Sequence, residues 1–189
     1  MRRTLRFAYL SVALALTACA RSQAASAPQP AAPAPATAVA LPASTTVILA
    51  RHAERLDQTA DPPLNEAGMA RAEALVQVLD TVRVDAVITT QLQRARLTAA
   101  PFMAKRGLEP VVVATGPLDQ HVAAVASLIR ERYAGKTVLV VGHSNTIPAI
   151  ARALGATSAR PLADTEHGDL YIVRSDGAHV TLTMGRFGP

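Results

Sequence analysis

The sequence predicts a three-layer α/β/α sandwich with a mostly parallel central sheet over residues 45–189. Short β-rich runs alternate along this segment with longer stretches of helical periodicity, which is the pattern of consecutive βαβ units. Two of the runs, Val47–Ala50 and Val138–Val141, are apolar throughout, as expected of parallel strands that are covered on both faces. A histidine follows each of these two runs after one intervening residue.

The predicted elements follow one another in a regular order. Strands are expected at Thr46–Ala50, Val84–Thr89, Pro110–Ala114 and Thr137–Val141. Helices are expected from near Asn65, from near Leu92 to Gly107, from Pro117-Leu118-Asp119 to Gly135, and from Ser144-Asn145-Thr146 to Gly155. A terminal strand pair is expected at Leu170–Val173 and His179–Met184, joined by a turn at Ser175-Asp176-Gly177.

Apolar spacing indicates which faces of two helices should be buried. In the first helix, the residues expected to face the sheet are Leu75, Val78, Leu79 and Val82. In the third helix, the residues expected on one buried face are Val122, Ala126, Ile129 and Tyr133.

The first residues have the pattern of an export signal. Met1–Arg6 is basic, Phe7–Leu16 forms an apolar region of ten residues, and small residues follow. This region is shorter than the roughly 20 residues that a membrane-spanning helix needs. The segment is therefore predicted to direct export rather than to span a membrane.

The only cysteine, Cys19, lies at the expected cleavage point. Leu16–Cys19 resembles the lipobox of bacterial lipoproteins, in which the cysteine thiol is lipidated. The resemblance implies a signal peptide over residues 1–19, a periplasmic protein and, because Ala20 rather than Asp follows the cysteine, an anchor in the outer membrane. Soluble secretion after cleavage at Ala18-Cys19-Ala20 is the alternative. A lone cysteine in an exported protein would otherwise be an unpaired reactive thiol, which favours lipidation.

Residues 20–44 are predicted to be a disordered tether. They are rich in alanine and proline and contain no bulky apolar residue before Val39, so they cannot offset the entropy of ordering. Four of the 19 basic residues precede residue 45, where there is no acidic residue, and the rest of the chain carries 15 basic and 14 acidic residues. This balance, without a basic stripe and interleaved aromatics, argues against a nucleic-acid partner.

Three polar segments are expected to meet at one edge of the sheet. Arg51 and His52 follow the first strand, Arg94 lies in the first turn of the helix after the second, and His143 follows the fourth. Ligands of open α/β sheets bind beyond the carboxyl ends of the strands. Two guanidiniums, two imidazoles and a helix N-terminus suit a tetrahedral dianion. A neutral imidazole can attack phosphorus without a metal, so the pattern predicts phosphoryl transfer through a phosphohistidine.

Four segments, in this order along the chain, resemble the signatures of the histidine phosphatase superfamily, also called phosphoglycerate mutase-like. They are Leu49–Glu54, similar to the R-H-G motif; Asp61–Gly68, similar to D-x-P-L-T-x-x-G; Thr89–Ala99, similar to S-S-x-x-x-R-A-x-x-T-A; and Val141–Ser144, similar to the second-histidine motif. The resemblance covers most of residues 45–189 and implies the fold of that family. It also implies a phosphoric monoester hydrolase without metal or cofactor, acting on a small phosphorylated substrate or a phosphohistidine protein.

The resemblance implies a role for each of the four site residues. His52 would be the phosphorylated nucleophile, Arg51 and Arg94 would bind the phosphoryl group, and His143 would complete the pocket. Ala53 stands where the family has glycine, which matters if the position requires positive φ. No chemistry is assigned to Arg96, His167 or His179, and Arg96 is expected to be a surface charge.

No motif indicates the acid that protonates the leaving oxygen. The chain has no close match to the E-x-x-x-G-x-x-E-G stretch of the mutases, which disfavours mutase activity. Asp119 lies roughly where the family brings its acid, but it is also a typical N-cap before a helical pattern. Glu54 and Asp61 are the other carboxylates near the motifs. His121, in the first turn of the same helix as Asp119, is a further candidate donor, but its position in that turn favours the surface.

Two other functions are compatible with the same residues. A non-catalytic envelope lipoprotein could bind phosphate or another anion with these arginines. A zinc site on His52 and His143 would need further ligands, and the sequence has no H-x-H, H-E-x-x-H or cysteine cluster to supply them.

Overall fold

The computed structural model describes residues 40–188, in which a six-stranded sheet lies between two pairs of helices. The strands are β1 (Thr46–Arg51), β2 (Ala86–Thr89), β3 (Pro110–Val112), β4 (Thr137–Gly142), β5 (Asp169–Ser175) and β6 (Val180–Arg186). The helices are α1 (Glu66–Val78), α2 (Gln93–Arg106), α3 (Leu118–Arg132) and α4 (Thr146–Ala153). The predicted signal peptide, Cys19 and most of the predicted tether lie outside the described residues.

The strand order is β3-β2-β4-β1-β5-β6. Strands β1 to β4 pair in parallel, whereas β5 and β6 are antiparallel to their neighbours. The three-layer α/β/α prediction with a mostly parallel sheet is therefore confirmed. Because β4 lies between β1 and β2, the carboxyl ends of these three strands form one continuous edge.

Each face of the sheet is covered by its own apolar layer. Helices α1 and α2 pack on one face, where Leu75 and Phe102 are fully buried. Helices α3 and α4 pack on the other face, where Ile129 and Ile147 are fully buried. Within residues 40–188, no helix combines the length and the apolar character needed to cross a membrane.

Two predicted helix faces differ from the observed ones. Val78 is 44% exposed, so its predicted burial is wrong, and Val76 is buried instead. At about 100° per residue, Val78 points away from the arc that Leu75 and Val76 share. On α3 the buried residues are His121, Val125, Ala126 and Ile129, while Val122 and Tyr133 are only half-buried.

The domain begins earlier than the sequence predicts. Leu41, which falls in the predicted tether, is buried in the α3 and α4 layer, and its carbonyl accepts a 2.6 Å hydrogen bond from Ser175 Oγ. The apolar side chain and this backbone contact order the end of the predicted tether. Strands β2 and β3 are shorter than predicted, whereas Gly107 ends α2 with a φ of 63°, as expected of a left-handed C-cap.

The start of α1 is fixed by two residues of the Asp61–Gly68 motif. Asn65 Oδ1 accepts a 2.8 Å hydrogen bond from the Gly68 amide and so caps the helix. A Cβ on Gly68 would lie 2.1 Å from the carbonyl oxygen of Glu54, which is far inside van der Waals contact. Glycine therefore lets α1 pack directly against the loop that follows β1.

The close approach at Gly68 predicts that Gly68→Ala destabilises the protein. Alanine would gain up to about 1 kcal/mol of helix propensity, but the clash is with backbone and overpacking costs about 1–3 kcal/mol or more, so a net loss is expected. Urea denaturation measures the change. Gly185→Ala is the control, because its Cβ would meet no atom nearer than 3.7 Å. Equal midpoints for Gly68→Ala and the unsubstituted protein would contradict the prediction.

Candidate active site

The register between β1 and β4 brings two histidines together. Arg51 pairs with Gly142, and the amide of His52 donates a 2.8 Å hydrogen bond to the Gly142 carbonyl. His52 and His143 therefore leave adjacent strand ends side by side, with their ring centroids 5.3 Å apart. The two histidines noted in the sequence lie at one site.

A cavity of about 360 Å³ opens at this edge of the sheet. Its walls include all four residues for which the sequence predicts a role: Arg51, His52, Arg94 and His143. Arg55, His121, Ser144 and Asp164 also line it. The predicted residues are thus brought together around a space that is large enough for a small ligand.

His52 has the geometry of a nucleophile. Its Nδ1–H donates a 2.8 Å hydrogen bond to the Ala53 carbonyl, which leaves the lone pair on Nε2, the ring nitrogen free to act in the cavity. Burial, reinforced by the nearby His143 and Arg51, lowers the pKa of His52 from its ordinary value of 6.5 to about 3. The imidazole is therefore neutral at physiological pH, as attack by its nitrogen requires.

Two arginines bring positive charge to the site. The Arg51 side chain is held from one side by the Ala163 carbonyl, 2.8 Å from Nη1, and by Asp164, 3.7 Å from Nη2. Arg94 Nη1 lies 3.3 Å from the Ala60 carbonyl. Nε of Arg51 and Nε of Arg94 are buried with no hydrogen-bond partner among residues 40–188. Both arginines also line the cavity, where their guanidinium groups offer positive charge to an oxyanion.

His143 is held by Thr90, from the Thr89–Ala99 motif, and by Thr146 at the start of α4. Its Nε2 lies 3.1 Å from Thr90 Oγ1, and its backbone amide donates to Thr146 Oγ1 at 2.9 Å. A Cβ on Gly142 would lie only 2.8 Å from the same Thr146 oxygen, so glycine allows α4 to begin this close to the strand. Burial, followed by the charge of Arg94, lowers the pKa of His143 from 6.5 to about 4.

The loop after β1 is tied to α2 by one threonine. Thr98 Oγ1 accepts a 2.9 Å hydrogen bond from the Ala53 amide and donates one of 2.7 Å to the Arg94 carbonyl. Ala53 is fully buried, and Ser44 is the only non-glycine residue with positive φ within residues 40–188. Alanine therefore replaces the family's glycine without backbone strain.

The three carboxylates considered as proton donors have different surroundings in the structure. Asp119 is exposed and does not line the cavity; Pro117 is the N-cap of α3, so Asp119 is not the cap either. Asp61 caps α2, because its Oδ1 accepts the Gln93 amide at 2.7 Å. Although burial raises the pKa of Glu54, hydrogen bonds from Arg71 outweigh it and the pKa is lowered. None of these three carboxylates is poised to give a proton in the cavity.

His121 is buried, so its predicted surface position is wrong. It is only 4% exposed because it lies on the inner face of α3, where its Nδ1–H donates a 3.0 Å hydrogen bond to the Ala114 carbonyl. Helical periodicity alone did not reveal this, because a histidine is compatible with either face.

Three further residues at the site have no clear signal in the sequence. His167 Nδ1–H donates a 2.8 Å hydrogen bond to the His52 carbonyl, and its ring centroid lies 5.7 Å from that of His52. Asp164 reaches the cavity from the same loop between α4 and β5. Arg55 also lines it; its position three residues after His52, in a loop at a strand end, was the available clue.

Two residues without a predicted role do not line the cavity. Arg96 and His179 are exposed, which agrees with the prediction of a surface charge for Arg96. Among residues 40–188, no group of three or more histidine, cysteine or acidic side chains is arranged to bind a metal ion.

The family comparison agrees with the motifs. Residues 47–116 match the model of the histidine phosphatase superfamily (branch 1). The match confirms a histidine phosphatase superfamily domain in this part of the chain. A sequence search of the curated proteins finds no match.

Several solved structures share the fold along almost their whole length. A candidate phosphohistidine phosphatase SixA from Agrobacterium tumefaciens is 23% identical with a TM-score of 0.56, and the alignment covers 77% of this chain and 99% of that one. The α-ribazole phosphatase from Shigella flexneri is 18% identical with a TM-score of 0.61, and the alignment covers 75% of this chain and 96% of that one. The protein histidine phosphatase SixA complexed with tungstate is 19% identical with a TM-score of 0.55, and the alignment covers 75% of this chain and 96% of that one. At these identities the likeness establishes the fold.

The lowered pKa of His52 predicts a specific acid sensitivity. Between pH 6.5 and about 3 the unfolded chain binds a proton at His52 that the folded chain does not, so stability is lost as the pH falls below 6.5. His52→Asn removes this proton while its amide can still donate to Ala53. The variant should therefore lose about 1–2 kcal/mol less stability than the unsubstituted protein between pH 7 and pH 5.

Urea denaturation at the two pH values measures this difference. His179→Asn, which removes an exposed histidine, is the matched control and should follow the unsubstituted protein. Parallel pH profiles for His52→Asn and the unsubstituted protein would show that His52 is not held neutral by burial.

Proposed function

We propose that this protein is a metal-independent phosphatase that hydrolyses phosphomonoesters through a phosphohistidine on His52. The observation that carries this proposal is a cavity lined both by a buried, neutral imidazole, whose Nδ1–H is held by Ala53, and by the side chains of Arg51 and Arg94. The histidine phosphatase domain and the phosphatases among the fold neighbours support it.

The proposed reaction has two steps at one position in the cavity. In the first, His52 Nε2 attacks phosphorus, the P–N bond forms and the ester P–O bond breaks. Arg51 and Arg94 neutralise the equatorial oxygens, where transition-state stabilisation is usually largest. In the second, water attacks the phosphohistidine and releases inorganic phosphate, which restores the neutral imidazole.

His143 and His167 would support the nucleophile in different ways. His143 faces the same cavity, held by Thr90, and a bound dianion would favour its cationic form, which would then stabilise the phosphoryl oxygens. His167 binds the carbonyl of His52 and so fixes the backbone that carries the nucleophile.

The substrate class is proposed to be small phosphomonoesters, with a phosphohistidine protein as the other substrate to be tested. The cavity of about 360 Å³ has a polar lining with several arginines, and no aromatic side chain other than histidine lines it among residues 40–188. These features suit compact, hydrophilic esters more than ligands that stack on aromatic rings.

His52→Asn should abolish the covalent intermediate. On mixing with ³²P-labelled para-nitrophenyl phosphate, the full-length protein should acquire label that is lost in acid and kept in alkali, as expected of phosphohistidine. The variant should acquire none, and kcat should fall by more than about 10³-fold because the nucleophile is removed. His179→Asn is the matched histidine control and should keep full activity.

Two results would decide against this mechanism. An active, label-forming His52→Asn enzyme would show that another residue is the nucleophile. Binding of phosphate or vanadate by a protein that hydrolyses no ester would instead support a non-catalytic, anion-binding envelope lipoprotein.

The location is proposed to be the periplasmic side of the outer membrane, through a lipid on Cys19. The proposal rests on the likeness of Leu16–Cys19 to a lipobox and on the basic and apolar segments before it. An exported enzyme would meet envelope and scavenged phosphoesters, so sugar phosphates and nucleotides come first in a substrate panel.

Cys19→Ala should release the protein from the membrane. In bacterial cells supplied with radioactive palmitate, the unsubstituted protein should be labelled and should fractionate with the outer membrane, whereas the variant should carry no label. Soluble, unlabelled protein in both cases would favour cleavage at Ala18-Cys19-Ala20 and secretion.

A further inference from the structure

The cavity contains a third imidazole, that of His121. It is 4% exposed and comes from the first turn of α3, on the side of the cavity formed by the segment after β3. Its Nδ1–H is held by the Ala114 carbonyl at 3.0 Å, and its Nε2 makes no hydrogen bond to residues 40–188. His121 thus has the same arrangement as His52: one ring nitrogen is fixed by backbone and the other is free in the same cavity.

The first step of the proposed reaction needs a proton donor. An alkoxide is a poor leaving group, and a positioned acid that protonates it typically accelerates such a step by about 10²- to 10⁴-fold. Asp119 does not reach the cavity, Asp61 caps α2, and Glu54 is ion-paired with Arg71 at 2.7 Å. Histidine is a common proton donor at neutral pH.

Among residues 40–188, Asp164 is the acidic residue that lines the cavity, but its contacts are those of an acceptor rather than of a proton donor. Its side chain is 92% exposed and lies 3.7 Å from Arg51 Nη2, where it balances the charge of that guanidinium. Its Oδ1 also accepts a hydrogen bond from Ser144 Oγ at 3.2 Å. Asp164 therefore serves as an acceptor at the mouth of the cavity, whereas His121 lies buried within its wall.

We propose, on the basis of the phosphatase function above, that His121 is the general acid that protonates the leaving oxygen. As His52 Nε2 bonds to phosphorus and the ester P–O bond breaks, the proton on Nε2 of the His121 imidazolium passes to the departing oxygen, which leaves as an alcohol. The neutral His121 then accepts a proton from the water that attacks the phosphohistidine. This returns both imidazoles to their starting states.

The charge of the substrate favours this role. A phosphate dianion in the cavity attracts an imidazolium on the wall beside it. The charged and titratable groups that line the same cavity are Arg51, His52, Arg55, Arg94, His143 and Asp164. The negative charge of a bound dianion offsets the positive charge of these arginines around the imidazole.

His121→Asn tests the proposal, because an asparagine amide can still donate to the Ala114 carbonyl but has no proton at the Nε2 position. The full-length protein and the variant are assayed with para-nitrophenyl phosphate, whose leaving anion is stable, and with glycerol phosphate, whose leaving alkoxide is not. For the glycerol ester, kcat/KM should fall by about 10²-fold or more, whereas for the nitrophenyl ester it should fall by less than about tenfold. A merely structural role would reduce both values equally.

The ratio of the two kcat/KM values is the readout, and it is independent of the fraction of active protein. An unchanged ratio in His121→Asn and also in His121→Gln overturns the proposal. A selective loss for the glycerol ester in Asp164→Asn, with none in His121→Asn, also overturns it and assigns the acid to Asp164. His179→Asn controls for the loss of a histidine and should leave both values unchanged.

Failure of this inference is distinguishable from failure of the proposed function. If the unsubstituted protein hydrolyses both esters and forms phosphohistidine while the variants keep the ratio, only the role of His121 is wrong. If the unsubstituted protein hydrolyses neither ester, the phosphatase function itself fails.

Discussion

The parallel pairing of β1 with β4 is the constraint on which the site depends. Their register places Arg51 opposite Gly142, and the hydrogen bond from the His52 amide to the Gly142 carbonyl extends that pairing one residue past the strand. A slip of one residue would turn every side chain of the strand to the other face and would separate the two imidazoles. Both strands are almost entirely buried, so the apolar core of each face holds this register.

The pKa values of the two histidines at the site are set mainly by burial rather than by neighbouring charges. Desolvation lowers the pKa of both His52 and His143, so neither imidazole adds positive charge beside the arginines in the free protein. Arg51 and Arg94 keep their charge, and each leaves a buried Nε without a partner within residues 40–188. An unsatisfied buried donor costs about 1–3 kcal/mol, so holding the two arginines at the cavity reduces the stability of the fold.

The loop between α4 and β5 closes one side of the site. It supplies the Ala163 carbonyl to Arg51 and the His167 imidazole to the backbone of His52. The loop is itself braced by Arg160, which forms ion pairs with Glu166 and with Asp169 at the start of β5. Contacts that orient the nucleophile and its neighbouring arginine therefore depend on a segment that is more than 100 residues away in the chain.

Local sequence was sufficient to predict the alternation of strands and helices, the left-handed stop at Gly107 and the group formed by Arg51, His52, Arg94 and His143. These features depend on short-range patterns: apolar periodicity, glycine conformation and polar residues at strand ends. The exposure of Val78 and the burial of Leu41 at the start of the domain were not predictable in this way, because the extent of a buried face depends on what packs against it.

The two strand-end histidines were determined by the sequence itself, because their position follows from where two apolar runs stop. Tertiary structure decided which other groups join them. Asp119 and His121 lie two residues apart on α3, about 200° around the helix, and only packing against the sheet determines that the imidazole enters the cavity while the carboxylate faces solvent. Asp164 and His167 arrive through a loop without periodicity, so their contacts exist only once the whole chain has folded.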